Sequence, residues 1–316
     1  MKFTLVTTCL NEMRSLPRWR EDLEHQSRQP DEIAIVDAES TDGTTEALRE
    51  WAAGDGRVKL RIEKCNAATG RNLAIGMAAH DRVVSTDMGV RLDPRWFEEI
   101  VRPFETDPTV EIVAGSYAID MDSVKSPAAR AEYYVEGNGV PQLGPGFVPG
   151  NRSIAYTKKV WSELGGLPED LTLYADDSVF GMQMIQAGYK MAYASHALVY
   201  WSRPARLREF WREMYNYGKG NGEAGIRTPA AFRFHKMGFI PAWLVAPLTA
   251  VRTLQKMIGQ TRIREALSRG DLVGLAYVPL LLWGNGWNVG RGYLVGDKIG
   301  EIRCQSCRAR LQKRGT

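Results

Sequence analysis

Twice within its first ninety residues the chain runs an apolar, β-branched stretch straight into a carboxylate and then into a turn. The first instance is Ile35-Val36-Asp37-Ala38-Glu39-Ser40-Thr41-Asp42-Gly43-Thr44, and the second is Arg82-Val83-Val84-Ser85-Thr86-Asp87-Met88-Gly89. A buried strand that ends in an acid puts that acid at the carboxyl edge of a sheet, where open α/β folds hold their ligands. A strand-tip aspartate there can accept hydrogen bonds from a nucleotide's base or ribose. Asp, Ser, Thr and Gly also favour turns and helix N-caps for local reasons, so the first stretch taken alone fits capping equally well. A third acidic site in chain order, Tyr174-Ala175-Asp176-Asp177-Ser178, opens a helical segment that ends at Gly188.

Around these tips the first half of the chain alternates short β-rich runs with helical stretches. Strands are expected over residues 3–8, 32–37, 58–63, 82–87 and 110–118, and helices near 12–26, 43–53, 69–79 and 93–106. This alternation argues for an α/β fold, a mainly parallel sheet with helices on both faces. A glycine- and proline-rich segment from Gly137 to Gly150 follows, and it reads either as a lid or as a plain connecting loop. From Arg206 to Tyr217 the residues Leu207, Phe210, Trp211, Met214 and Tyr215 share one helical face, which suits a core-facing helix or one lying on a membrane surface.

The ordered set of motifs resembles the family 2 glycosyltransferases over roughly residues 1–225. Besides the three acidic sites it includes Thr7-Thr8-Cys9-Leu10-Asn11-Glu12, Thr69-Gly70-Arg71-Asn72-Leu73-Ala74-Ile75, Gly150-Asn151-Arg152-Ser153-Ile154-Ala155-Tyr156 and Trp161-Ser162-Glu163-Leu164-Gly165-Gly166-Leu167-Pro168. Tyr215-Asn216-Tyr217-Gly218-Lys219-Gly220-Asn221-Gly222 is similar to a tyrosine-glycine run of exopolysaccharide members. The resemblance implies a GT-A catalytic domain over 1–225, with a nucleotide-binding half at about 1–118 and an acceptor half at about 119–225. It implies an inverting transfer of one sugar from a nucleotide-sugar to a glycan or polyprenol-linked acceptor in surface polysaccharide synthesis. A processive synthase is the alternative, and so is a non-catalytic scaffold. The Gln-x-x-Arg-Trp signature of processive members is absent, the nearest stretch being Arg208-Glu209-Phe210-Trp211-Arg212.

Residue by residue, the resemblance implies that Asp37 contacts the base and Asp87 the ribose, with Thr8, Asn11 and Glu12 in the first nucleotide-contacting turn and Arg71 near the diphosphate. Neighbouring residues on a helix point about 100° apart, so only one of Asp176 and Asp177 can face a reacting hydroxyl. In related sequences the second acid of this pair is the base, which implies Asp177, with Asp176 orienting the acceptor. Many members hold Mg²⁺ or Mn²⁺ on an Asp-x-Asp; here Asp87-Met88-Gly89 leaves Asp87 as the one metal ligand. Trp201 stands near the position where metal-using members often carry a histidine, and serves as a sugar platform or as core. Arg203 and Arg152 join Arg71 as candidates for steadying a leaving diphosphate.

Charge divides the chain. Residues 1–202 hold 21 Lys/Arg against 30 Asp/Glu, and residues 203–316 hold 20 against 7. The basic residues of the second part are interleaved with apolar runs, Phe239 to Val251 and Leu272 to Trp283, each shorter than the ~20 residues that cross a bilayer. Residues 226–316 are therefore expected to form a helical, interfacial region meeting anionic lipid and not nucleic acid. Packing onto the catalytic domain, or an oligomer contact, is the alternative. The amino terminus opens on a strand pattern and not on a leader-like segment, and four scattered cysteines form no disulfide framework. Both point to the cytosolic face of a membrane. Cys304-Gln305-Ser306-Cys307 has zinc-knuckle spacing but lacks a second pair nearby.

Overall fold

In the computed structural model, which describes residues 1–140, 147–172 and 174–303, each apolar run of the first half lies inside one eight-stranded sheet. The nucleotide half comprises β1 (Thr4–Cys9), α1 (Leu16–Glu24), β2 (Glu32–Asp37), α2 (Thr44–Gly54), β3 (Val58–Ile62), α3 (Ala67–Met77) and β4 (Arg82–Ser85). Next come β5 (Val90–Leu92), α4 (Trp96–Thr106), β6 (Ile112–Ile119), α5 (Pro127–Glu136), β7 (Ile154–Thr157), α6 (Lys158–Glu163), α7 (Asp176–Ala187) and β8 (Met191–Trp201). Five helices follow the sheet: α8 (Leu207–Ala224), α9 (Ala230–Lys236), α10 (Val245–Ile258), α11 (Ile263–Ser268) and α12 (Leu272–Arg303).

Strand order is β3-β2-β1-β4-β7-β6-β8-β5. From β3 to β4 every pairing is parallel, as the alternation requires. Beyond β4 the expectation of a mainly parallel sheet fails: β7 runs antiparallel to both β4 and β6, and β5 antiparallel to β8, so the sheet is mixed. β5 is a three-residue strand lying between the tip of β4 and α4, and β7 is reached from β6 through α5. β1 also separates β2 from β4, so the tips carrying Asp37 and Asp87 are not neighbours.

Two apolar clusters sandwich the sheet. One contains Trp19, Trp51, Trp96, Phe97 and Phe104, and the other Ile75, Tyr156, Phe180 and Met184. Helix α4 shows how the pattern dictates packing: Trp96, Phe97, Ile100, Val101 and Phe104 recur with helical spacing, and all are buried.

The second apolar stretch of the carboxyl side is not a short segment. Leu272 to Trp283 begins a 32-residue helix, α12, which packs along α8, α10 and α5. Its approach to α8 is backbone to backbone, because a Cβ on Gly218 or Gly222 of α8, or on Gly292 or Gly296 of α12, would overlap the facing main chain. The glycines of the tyrosine-glycine run therefore have a packing reason. Among the described residues no helix is long and apolar enough to cross a membrane. The Cys304–Cys307 pair and much of the glycine- and proline-rich segment (141–146) lie outside the described residues.

Asp271 fastens the start of α12. It accepts from Gly274 N at 2.9 Å, from Arg130 Nε at 2.6 Å and from Tyr134 Oη at 2.9 Å, both partners lying on α5. The Arg130 guanidinium holds its carboxyl down at about 2. Asp271→Ala is expected to cost about 2 kcal/mol in urea unfolding, from a lost helix-end acceptor and charge-assisted hydrogen bonds. A carboxyl depressed in the folded state stabilises above its unfolded value near 4, so this difference should vanish as the pH falls through about 2.

Candidate active site

A continuous crevice runs along the carboxyl edge of β1 and β4 and on past the start of α7. Its first lobe, about 540 Å³, is lined by Thr8, Glu12, Ala38, Asp87 and Arg152 among others. Its second, about 550 Å³, is lined by Gly150, Asp176, Asp177, Tyr217, Asn221 and Arg227. Arg71, Asp87, Arg152, Tyr174 and Trp201 border both lobes.

Arg71 joins the two. The side chain of Asn66 accepts from Thr69 N at 2.8 Å and so starts α3. Gly70 then lets that helix press against β1, since any side chain there would overlap Thr8. The next residue, Arg71, donates from Nη2 to Asp87 Oδ1 at 2.9 Å and from Nη1 to Asp176 Oδ2 at 2.5 Å. Both carboxylates hold the guanidinium's pKa up against the burial that would lower it. Burial pushes the Asp176 carboxyl up, Arg71 pulls it back, and neighbouring Asp177 pushes it up again; the net direction is upward.

Asp177 is more open than Asp176. Its Oδ1 accepts from Ser178 N at 2.7 Å, and its Oδ2 lies 3.3 Å from where a Cβ on Gly150 would stand, so a glycine there leaves room for the carboxylate. Ala175, just ahead of the pair, has φ of 76°, a left-handed conformation that a residue with a Cβ holds only under constraint. Gly220 of α8 packs 2.7 Å from Tyr174 by the same measure, so α8 braces the turn from behind. No side chain caps α7, and its first turn presents both acids to the crevice.

Arg152 reaches the crevice because Thr86 Oγ1 donates to its carbonyl at 2.7 Å, tying the β4 tip to the start of β7. Its guanidinium lies 4.0 Å from the Trp201 ring centre and donates to Tyr217 Oη at 3.2 Å. Burial pushes the Tyr217 phenol up to about 12, although Arg152 opposes the shift.

Other expected site residues are placed differently. Asp37 is fully buried and does not line the crevice; it accepts from Ser40 N at 3.2 Å, from Ser40 Oγ at 2.5 Å and from Thr45 Oγ1, so its oxygens are spent on shaping their own turn. Asn11, with φ of 58°, accepts from Thr41 N at 2.8 Å and holds the same turn to β1. Of the Asp37-to-Thr44 stretch only Ala38 lines the crevice. Arg203 is also buried: its Nε donates to Glu132 at 2.5 Å, and Glu213 lies beyond. That ion pair lies below Trp201, and Arg203 lines neither lobe of the crevice. Trp201 itself has two guanidinium groups, those of Arg152 and Arg203, within 4.0 Å of its ring centre, so its ring face is already engaged. Tyr174, Tyr217, Asn221 and Arg227 enter the crevice without any sequence motif having flagged a role for them. The tyrosine-glycine run was the available signal for two of them.

Residues 4–159 match the profile of Glycosyl transferase family 2. Over those residues the chain carries that family's domain. It is 28% identical over 229 residues to the O-antigen chain rhamnosyltransferase WbaN of Salmonella anatum, covering 68% of this chain and 71% of that protein. It is 25% identical over 232 residues to the O-antigen chain rhamnosyltransferase RfbN of Salmonella typhimurium, covering 69% and 72%. The mannosyltransferase PcManGT of Pyrobaculum calidifontis, solved with GDP-Man and Mn²⁺, superposes with a TM-score of 0.56 at 20% identity over 96% of this chain and 88% of that one. At that identity the superposition speaks for the GT-A-like fold alone.

Replacing Arg71 by Met would strand two partly buried carboxylates. The expected cost is about 3–5 kcal/mol in urea unfolding near neutral pH, the range for breaking a buried pair on one side. The deficit should shrink as the pH falls through the carboxylate range, because protonation removes the stranded charge; a pH-independent loss would mean that Arg71 acts through packing.

Proposed function

We propose that this family 2 glycosyltransferase moves one sugar, with inversion, from a nucleotide-sugar bound in the first lobe to a hydroxyl of a glycan or polyprenol-linked acceptor in the second. The product would belong to a bacterial surface polysaccharide, a reading supported by the two O-antigen chain rhamnosyltransferases among its relatives. The observation that carries the proposal is the placement of Asp177. It sits in the lobe opposite the β1 and β4 tips, and its neighbour Asp176 is neutralised by Arg71, leaving Asp177 as the freer acid of the pair.

In this reading Thr8, Glu12 and Asp87 border the nucleotide, and Arg71 and Arg152 face the diphosphate. Asp177 accepts the acceptor's proton as its oxygen attacks the anomeric carbon, and the nucleoside diphosphate departs on the other side. Asn221 and Arg227 border the acceptor end. Exclusion of water rests on the aromatic walls, Tyr117, Tyr174, Tyr217 and Trp201.

A divalent cation fits this crevice. Among the described residues its lining sets Arg71, Arg152 and Arg227 against Glu12, Asp87, Asp176 and Asp177, so a diphosphate would add negative charge to a site already short of positive. Burial raises the Glu12 carboxyl and the charge of Asp87 raises it further, a repulsion that a cation would relieve. Asp87, with Glu12 beside it, would hold Mg²⁺ or Mn²⁺ mainly through the ligand's own phosphates and waters. The cation supplies charge compensation for the leaving group.

Membrane association belongs to the same proposal. Phe239 and Trp243, 68% and 73% exposed, stand beside exposed Arg233 and Lys236 between α9 and α10, a mix suited to a headgroup boundary on the cytosolic side.

Asp177→Asn is expected to lower kcat by 10²–10⁴-fold while leaving donor affinity nearly unchanged. Wild-type turnover in that variant would remove Asp177 as the base. Thermal shifts with dTDP-, UDP- and GDP-sugars, with and without Mn²⁺, are expected to show one responding nucleotide and a larger shift with metal. Asp87→Asn should abolish that metal increment.

A further inference from the structure

On the far side of the α8–α12 seam from the crevice lies a second cavity of about 720 Å³. The two helices divide their faces between the sites: Met214, Tyr217 and Val289 turn toward the crevice, while Trp211, Tyr215 and Asn288 turn toward this groove. Three arginines line it, Arg208, Arg212 and Arg291, all exposed, and no Asp or Glu is among its lining residues. Elsewhere on the described surface arginines commonly sit on a carboxylate, as Arg20 does on Glu24 and Arg102 on Glu98. A concentration of unneutralised guanidinium groups costs stability through self-repulsion, and an anionic ligand removes that cost.

The groove's other wall is aromatic and apolar. Trp283 and Trp287 stack with ring centres 6.4 Å apart, Arg291 lies 5.9 Å from the Tyr215 ring centre, and Leu280 is 54% exposed. The exposure continues along the same face of α12. Val273 precedes the groove, Val295, Lys298 and Ile302 follow it, and at 1.5 Å per residue the whole helix spans about 48 Å. A neutral glycan would call for carboxylate acceptors on the walls, and Asn288, an amide there, already donates to the Gly284 carbonyl at 2.8 Å; a purely apolar partner would not call for three cations. Arginines that bind a phosphate, tryptophans at the depth of a headgroup and an apolar stripe leading away match a single chemistry.

We propose that this groove is a headgroup site for an anionic phospholipid of the bilayer, which seats α12 along the membrane surface. The inference rests on the membrane association proposed above and adds to it a site and a charge requirement.

Vesicle flotation of the full chain tests it, with phosphatidylglycerol-containing vesicles compared with pure phosphatidylcholine. The wild type should prefer the anionic vesicles, and less so as ionic strength rises. The triple variant Arg208→Gln, Arg212→Gln, Arg291→Gln should bind them about a hundredfold more weakly while keeping its donor-induced thermal shift. Phe239→Ser with Trp243→Ser separates the two readings, because it weakens insertion without touching the groove. If the triple variant binds anionic vesicles as well as the wild type while the Phe239/Trp243 variant does not, the groove assignment falls and membrane association stands. If the wild type floats with neither vesicle, both fall. A dimer in sedimentation velocity that the triple variant dissociates would give the groove to a second copy of the chain and overturn the lipid assignment.

Discussion

The site depends on one buried guanidinium. Arg71, on α3, holds Asp87, just past the tip of β4, and Asp176, at the start of α7, two residues 89 positions apart along the chain. Without it, three negative charges at Asp87, Asp176 and Asp177 would face one another across a partly dry crevice, although the β4–β7 pairing and the Asn72 bonds to Leu167 and Glu169 would still join the nucleotide and acceptor halves. Desolvation makes each member of such a cluster costly alone and tolerable together. The same pairing differentiates two adjacent acids: Asp176 is occupied by Arg71, and Asp177 is left facing the cavity.

Helix α8 extends that arrangement outward. One side of it supplies Tyr217 and Asn221 to the crevice, and Gly220 supports the turn that carries Tyr174 to Asp177. Gly218 and Gly222 meet the α12 backbone, so the long terminal helix is packed against the element that braces the acids. Glycines lower helix propensity by about 1 kcal/mol each relative to alanine, and this helix carries three of them in five residues. Close backbone approach is the packing gain that offsets this cost. The carboxyl-side helices are thus coupled mechanically to the site while presenting a differently charged face to their surroundings.

Much of the first half was legible because its signals are local. Period-two and period-3.6 hydrophobicity located β1 to β4 and α2 to α4 within a few residues, and the order of acidic motifs matched one family of catalytic domains. Asp87, Asp176, Asp177 and Arg71 do border one crevice. The Asp37 turn was read two ways from its residues, and its hydrogen bonds favour the local one: Ser40 and Thr45 take both carboxylate oxygens. Trp201 does border the crevice, with guanidinium groups against its ring, while Arg203 lies buried beneath it. Whether an arginine is free depends on which carboxylate folds against it, and Glu132, 71 residues away from Arg203, carries no mark in the sequence of being that partner.

By itself, the sequence determined the alternating α/β pattern, the acids at the strand ends and the basic, apolar character of the carboxyl side, because periodicity and charge are properties of neighbouring residues. Tertiary structure alone decided the antiparallel insertion of β7, the burial of Asp37 and Arg203, the length and seat of α12, and which of two adjacent aspartates faces open space. Each of these turns on a contact between residues distant in the chain, whose energy exists only once burial has removed the competing water.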